Sequence, residues 1–558
     1  MSDLDTQLRD YLVSVSPPPF ELEEIAERAA GVTPSALLES EVALRPRRRW
    51  VTALAAGVAT LVVIGGVALL IQRANLPEDP VSTPVTSVID PAPTTTVDVA
   101  PTTTAPRDAA STAAMTWTRI AEPAVFGGDG WQRTTDIAVG GDIAVAVGYD
   151  ASGGDDDAAV WYSLDGATWS RVPHDEAVFG GAGHQQIRGV TALESGFVAV
   201  GYEGDFSQHE GDTSPLNAFG GSEAHAAVWH SDDGVSWMRV PHAEAVFGAD
   251  EIMWMNDVTF GDSKLIAVGT THQRVEQLAA ARYGPLGGEP NPPMSIDIDA
   301  DAAVWTSVDG LAWSRVDAGD EVFGGDTVWQ RMYAVTPGGP GFVAVGQEGF
   351  DYLYVDEWTP IPGNNTEGVE HVMDNVAAVW TSPDGTTWTR VADESALAHS
   401  GENVTGWATM FDVTGTGSGL VAVGRDVWDT VSGVGFNEGA AVWLSDDGMS
   451  WRRVAHGVYT GRSDMAAVIA TNGDDLVAAG GMLLYVTAGA WTSPDGGNTW
   501  IEHPYEDTLF GAMPGSRSDA GSPASIQGLA MFDESVIGVG TFDTDAAVWI
   551  GTWTDTGG

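Results

Sequence analysis

Cysteine is missing from this 558-residue chain, and lysine occurs once, at Lys264. The first absence excludes disulfides, thiolate chemistry and Cys-ligated zinc, so the fold has to hold by burial and hydrogen bonding. The second belongs to a wider scarcity of positive charge: 24 basic against 78 acidic side chains leave a formal net charge of −54. A surface of that sign repels phosphate backbones and anionic lipid headgroups, which excludes nucleic acid as a partner. The acidity itself reads as a device for solubility. No nucleophile elbow and no HExxH pair occurs, so hydrolase chemistry of those kinds has no support. Long apolar runs are equally scarce, with one from Val51 to Ile71.

Those 21 uncharged residues, VTALAAGVATLVVIGGVALLI, would span about 30 Å as a helix, the thickness of a bilayer core. Arg45, Arg47, Arg48 and Arg49 precede the run and Trp50 stands at its edge, which predicts a signal anchor with its N-terminus in the cytoplasm. No A-x-A site follows, which argues against a cleaved leader. The expected plan is a cytoplasmic segment over 1–49 and a transmembrane anchor over 50–72. A Pro/Thr-rich extracytoplasmic stalk over 73–114 and one large domain over 115–558 follow. The expected location is the cell membrane, crossed once.

The large domain repeats itself. AAVWTSPDGTTWTRV, from Ala377 to Val391, recurs with drift from Ala158, Ala226, Ala302 and Ala440, and a sixth copy starts at Gly489. Each copy has the form of a β-hairpin turning on Asp-Gly. Upstream lies a second string of VAVG type, ending at Gly148, Gly201, Gly269, Gly346, Gly424, Gly480 and Gly540, and before each comes another short apolar run. The unit is four strands, a to d, repeating every 53 to 78 residues, as the blades of a β-propeller do. The last unit lacks strand d, while Thr116–Ile120 matches that strand and has no a, b or c before it. An all-β, seven-bladed propeller with one-plus-three closure is therefore expected, pairing edges otherwise left open.

Ser493-Pro494-Asp495-Gly496-Gly497-Asn498-Thr499-Trp500 resembles the Asp-box (BNR-repeat) motif S-x-D-x-G-x-T-W of sialidase-like propellers. The turns at Asp165, Asp233, Asp309, Asp384 and Asp447 are one residue shorter between Asp and Trp. The resemblance covers about residues 115 to 552 and implies a structural role for these aspartates, in c–d turns opposite the ligand face. It is poor for function, since sialidases, sortilin-type receptors and photosystem assembly factors share the motif.

A sialidase needs an arginine cluster, a Tyr–Glu nucleophile pair and an acid/base Asp. Arg171, Arg239, Arg315, Arg390 and Arg453 are repeat positions, while Arg133, Arg188 and Arg331 lie near strand a. The Phe/Tyr-Arg-Ile-Pro signature is absent, and no catalytic residue is assigned. Residues at the start of strand a form a candidate binding rim: Trp131, Arg133, His184, Trp254, Trp329, Arg331 and Trp407. Aromatic faces beside amides and guanidiniums suit sugars or peptide side chains; the competing reading has the indoles plugging blade ends. Long b–c connections share that face. Asp297, Asp299 and Asp301 alternate as Ca²⁺ ligands would, without the Gly and distal Glu of an EF-hand, and no cofactor is expected. Two readings stand: a non-catalytic module for a glycan or protein partner outside the cell, and a sialidase-like glycoside hydrolase.

Overall fold

The recurring strings fold as strands of separate antiparallel units. In the first, Gln132–Gly140, Ile143–Asp150, Asp157–Ser163 and Trp169–Arg171 run a to d. Strand b is apolar without alternation because it is buried on both faces: Ala144, Val145, Ala146 and Val147 are wholly shielded from solvent. This computed structural model describes residues 114–554, apart from 129, 206–222, 249–251, 273–299, 325–328, 355–369, 393, 399–405, 430–435, 455–465, 482–487, 504–506 and 512–523. The expected cytoplasmic segment, membrane anchor and stalk up to residue 113 lie outside the described residues. Among the described residues no helix is long and apolar enough to cross a membrane.

Seven such four-stranded units follow one another, five of them separate sheets and two joined by a short parallel pairing of Asp374 with Gly406 and Asn375 with Trp407. Their inner strands, at 132–140, 184–192, 252–261, 329–338, 406–416, 468–472 and 524–532, each pack on the next, and the last packs back on the first. The architecture is all-β and consistent with a β-propeller. Ala114–Ile120 pairs antiparallel with Asp545–Thr554, from Ala114 opposite Thr554 to Ile120 opposite Val548. The N-terminal strand thus completes the last unit.

Two sets of tryptophans hold the units. Those of strand c (Trp161, Trp229, Trp305, Trp380, Trp443, Trp491 and Trp549) are at most 1% exposed. Buried indole N–H groups need acceptors, and six of these, all but Trp491, donate to carbonyls of the single helical turns or loops that lead into strand a. Examples are Trp161 to Val125 at 3.0 Å and Trp380 to Val322 at 2.7 Å. Those of strand d close the c–d turns, as Trp388 Nε1 does on the Gly385 carbonyl at 3.0 Å. The repeated arginines meet acids of strand b: Arg171 with Asp150 at 2.6 Å, Arg239 with Glu203 at 3.1 Å, Arg453 with Asp426 at 3.0 Å, and Arg390 with Glu348. Recurrence here marks scaffold.

The c–d turn is a hydrogen-bonded knot. Asp384 Oδ1 accepts the N–H of Thr386 at 2.8 Å and of Thr387 at 2.6 Å, while the buried Ser382 hydroxyl accepts the Gly385 N–H at 2.8 Å. At Asp165 the amides of Thr168 and Ala167 favour the anion and pull its pKa down to about 2. Gly385 holds φ +75°, where a side chain is strained. Replacing Ser382 by Ala strands the Gly385 N–H and is expected to cost about 1–3 kcal/mol. A urea titration checks this, and an unchanged midpoint contradicts it.

Strand pairing also sets the faces. Ser163 pairs with Ala144, beside the a–b turn, so the Asp-box turns share the face of the a–b turns. The b–c and d–a connections lie on the other. In the fourth unit the long b–c connection is partly strand: Gly341–Tyr354 and Glu370–Ser382 stay paired out to Tyr354 opposite Glu370.

Candidate functional site

Six inner strands carry a register shift after their third, fourth or fifth paired position, between Thr134 and Asp136, Ile187 and Gly189, Met255 and Asp257, Met332 and Ala334, Met410 and Asp412, and Ile526 and Gly528. A bulge leaves one residue unpaired and re-aims its side chain. Here the residues so released are Thr135, Arg188, Asn256, Tyr333, Phe411 and Gln527, and all six line one cavity of about 410 Å³. The glycine ending each VAVG string makes room for the bulge. A Cβ on Gly148, Gly201, Gly269, Gly346, Gly424 or Gly540 would lie 1.8–2.0 Å from an inner-strand carbonyl oxygen.

The residue after the bulge is Asp136, Asp257 or Asp412 in alternate units. Each carboxylate reaches the inner strand of the following unit, accepting the N–H of Val190, Val335 and Ile469 respectively, all at 2.8 Å. Asp257 and Asp412 also accept the N–H of the residue that follows them, at 2.7 Å. Where the position is Gly189 or Gly528, a Cβ would stand 2.8–2.9 Å from the Cα of Asp257 or Asp136, so the ring tightens by alternating carboxylate and small residue. These carboxyls touch the cavity yet are ringed by protein. Burial raises Asp257 to about 7 and Asp412 to about 6, and lifts Asp136 well above the usual range, with Asp257 and Asp412 adding repulsion.

Arg133 and Arg188 line the same cavity as these acids. The Arg188 guanidinium lies 5.3 Å from the Tyr202 ring and 6.0 Å from that of Trp254, and donates to Asn256 Oδ1 at 3.1 Å. Arg133 stands 6.0 Å from the Tyr149 ring, and its Nε has no hydrogen-bond partner among the described residues. No carboxylate lies within ion-pair distance of either guanidinium among the described residues, unlike the strand d arginines. Burial raises the phenol of Tyr149, and that of Tyr202 to about 12, so both stay neutral donors. On the far side Tyr333 and Phe411 meet at 5.7 Å between ring centres. The Tyr333 hydroxyl accepts Gln347 Nε2 at 3.0 Å, and no glutamate lines the cavity among the described residues. Cationic, hydrogen-bonding and aromatic walls together can hold a small anion with a ring or apolar body.

Of the expected rim, Arg133 alone reaches this cavity among the described residues. Trp254 is 7% exposed and backs Arg188 from within the fold. Trp131 precedes the first inner strand and is 53% exposed. The His184 Nδ1 accepts the Asp156 N–H at 3.2 Å. Trp407 is half-buried beneath Arg425, 5.9 Å away, and Arg331 is half-buried opposite Gln347. Trp329 pairs with Gly349 through its backbone, and its side chain is outside the described residues. Asp297 and Asp299 are outside them too, and Asp301 lies on strand Ala300–Ser307. Asp157, His174 and Glu176 offer ligand atoms within 4.8 Å of one another and are the described group able to take a divalent ion. The bulge residues escape repeat reading; the recurring Asp of Asp136-Ile137 and Asp412-Val413 and the VAVG glycine were the signals available.

No protein-family model matches the chain, and no curated protein matches it. Solved structures of sialidase-like and propeller folds resemble it at low identity. YCF48 bound to a D1 peptide is 13% identical, with TM-score 0.39, covering 79% of this chain and 97% of that one. An ulvan lyase of a polysaccharide lyase family is 13% identical with TM-score 0.41, covering 77% and 95%. The Trypanosoma rangeli sialidase in complex with the inhibitor DANA is 11% identical with TM-score 0.37, covering 78% and 59%.

Proposed function

We propose that this chain is a non-catalytic binding module of the Asp-box propeller type, held outside the cell by the apolar run at 51–71. Its axial cavity takes an anionic group of a glycan or protein partner. The observation that carries this reading is the pair Arg133 and Arg188, two guanidiniums lining one cavity with no carboxylate in ion-pair distance among the described residues, in a chain whose net charge is −54. A carboxylate is the ligand that two convergent guanidiniums with neighbouring phenols and amides suit best. The exposed Trp131 and the half-buried Trp407 supply apolar surface on the same face.

Titration calorimetry of the full chain with D-glucuronate, N-acetylneuraminate and N-acetyl-phenylalanine tests it. At least one is expected to bind with Kd below ~1 mM. Charge-assisted hydrogen bonds are worth about 1.5–3 kcal/mol each, so Arg133→Gln with Arg188→Gln should weaken binding by roughly a hundredfold or more. Failure of all three ligands, or equal binding by the double variant, overturns the reading. The sialidase-type hydrolase reading draws on the same arginines and the Tyr333 phenol. Release of neuraminate from an aryl glycoside, lost in the double variant, would establish it instead.

A further inference from the structure

We infer that binding of a carboxylate at Arg133 and Arg188 is coupled to proton uptake by Asp136, Asp257 and Asp412, so the cavity grips its ligand in acid and releases it in alkali. The inference rests on the anion-binding reading above and adds its regulation.

The bulges bring five groups into one space: two guanidiniums and three carboxyls line the same cavity of about 410 Å³. The carboxyl oxygens are already engaged by backbone N–H groups that clip one unit to the next, so swinging toward the arginines would break the inner ring. They therefore act on the ligand through space. Ionised, they place up to three buried negative charges at the wall of the cavity and oppose an incoming anion. Protonated, they leave the arginine charge uncompensated.

The surrounding groups do not blur this effect. From the first unit Arg133 and Tyr149 face the cavity, from the second Arg188, and from the fourth Tyr333. Arginine is a permanent cation in proteins, and burial pushes the Tyr149 phenol further from ionising. The third and fifth units present Asn256 and Phe411 beside their aspartates, and the sixth and seventh present no titratable group to it among the described residues. Asp156 and His184 are not in the lining; Asp156 accepts Nε2 of the lining Gln186 at 2.6 Å and stands 3.1 Å from His184 Nδ1. The three carboxyls are thus the groups that change charge in the cavity around neutrality, in keeping with burial placing Asp257 near 7 and Asp412 near 6. Coupling is reciprocal: if protonation favours the anion, the anion draws in protons.

The test is calorimetric titration of the full chain with D-glucuronate, which stays ionised throughout, at about pH 5, 6, 7 and 8 in two buffers of different ionisation enthalpy. Kd is expected to rise about tenfold or more from pH 5 to pH 8, since one fully coupled proton changes affinity up to tenfold per pH unit. The buffers should report net proton uptake near pH 7. The double variant Asp257→Asn and Asp412→Asn loses two of the three ionisations; it should bind more tightly than the native protein at pH 8, with a flatter profile and reduced buffer dependence, Asp136 carrying the dependence that remains. Either single variant should flatten the profile in part, which keeps the test open if the pair fails to fold. Binding with a flat pH profile in the native protein overturns the coupling and leaves the anion site standing. A native profile kept by the folded variants overturns the assignment to these carboxyls. Absence of glucuronate binding at every pH overturns the parent reading for acidic sugars and this coupling with it.

Discussion

A variant lacking residues 114–120 is expected to unfold far below the temperature of the full protein and to associate in solution. The strand supplies seven register pairs to Asp545–Thr554, and without it that strand becomes a bare edge able to pair with another chain. Trp117, 8% exposed, packs among Val536, Ala524 and Trp549 and meets Phe510 edge-on at 6.3 Å. Arg119 lies 3.7 Å from the Phe542 ring centre. Trp117→Ala alone should cost about 3–5 kcal/mol, and losing the whole strand more. Thermal melts with size-exclusion chromatography decide it. A deletion variant that is monomeric with an unshifted midpoint would show that the ring does not depend on this closure.

Stability should also fall as pH rises from about 4 to about 7, against the common trend for proteins rich in paired carboxylates. The folded pKa values of Asp257 and Asp412 are raised to about 7 and about 6, whereas an unfolded Asp titrates near 3.9. The native state therefore holds extra protons between these limits. The contribution is fully present below about pH 4 and lost as pH climbs through the folded values, by roughly 3 kcal/mol for Asp412 and roughly 4 kcal/mol for Asp257. Asp165 runs the other way in a separate window, lending stability above about pH 3.9 that disappears as pH falls through about 2. Asp257→Asn removes one ionisation and keeps one acceptor for the Val258 or Val335 amide. Its absolute stability drops by a hydrogen bond, about 1 kcal/mol, but its slope between pH 4 and 8 should flatten. Denaturant midpoints across that range test the slope, and parallel profiles for variant and native protein would refute it.

The sequence by itself determined the repeat. Strings that recur once per unit record interactions made once per unit, so the VAVG strand, the AAVW strand and the Asp-Gly turn were legible as strands and turns. Counting them predicted seven units and the N-terminal strand that completes the last. The recurring Trp and Arg were legible as scaffold for the same reason, and Trp380, Trp388 and Arg390 show why: each has its partner inside the repeat. Tertiary structure alone decided the cavity. Its lining changes from unit to unit, through Thr135, Arg188, Asn256, Tyr333, Phe411 and Gln527, because each unit presents a different side chain to one shared axis. A repeat search is silent at positions that do not repeat. The bulges that aim those residues depend on an inner-strand carbonyl pressing on the glycine of the neighbouring strand, a contact made across the sheet and invisible in either string alone. Trp254 was likewise legible as an aromatic near the start of strand a. Only the packing of the second unit on the third turned it inward, beneath Arg188 and against Tyr202.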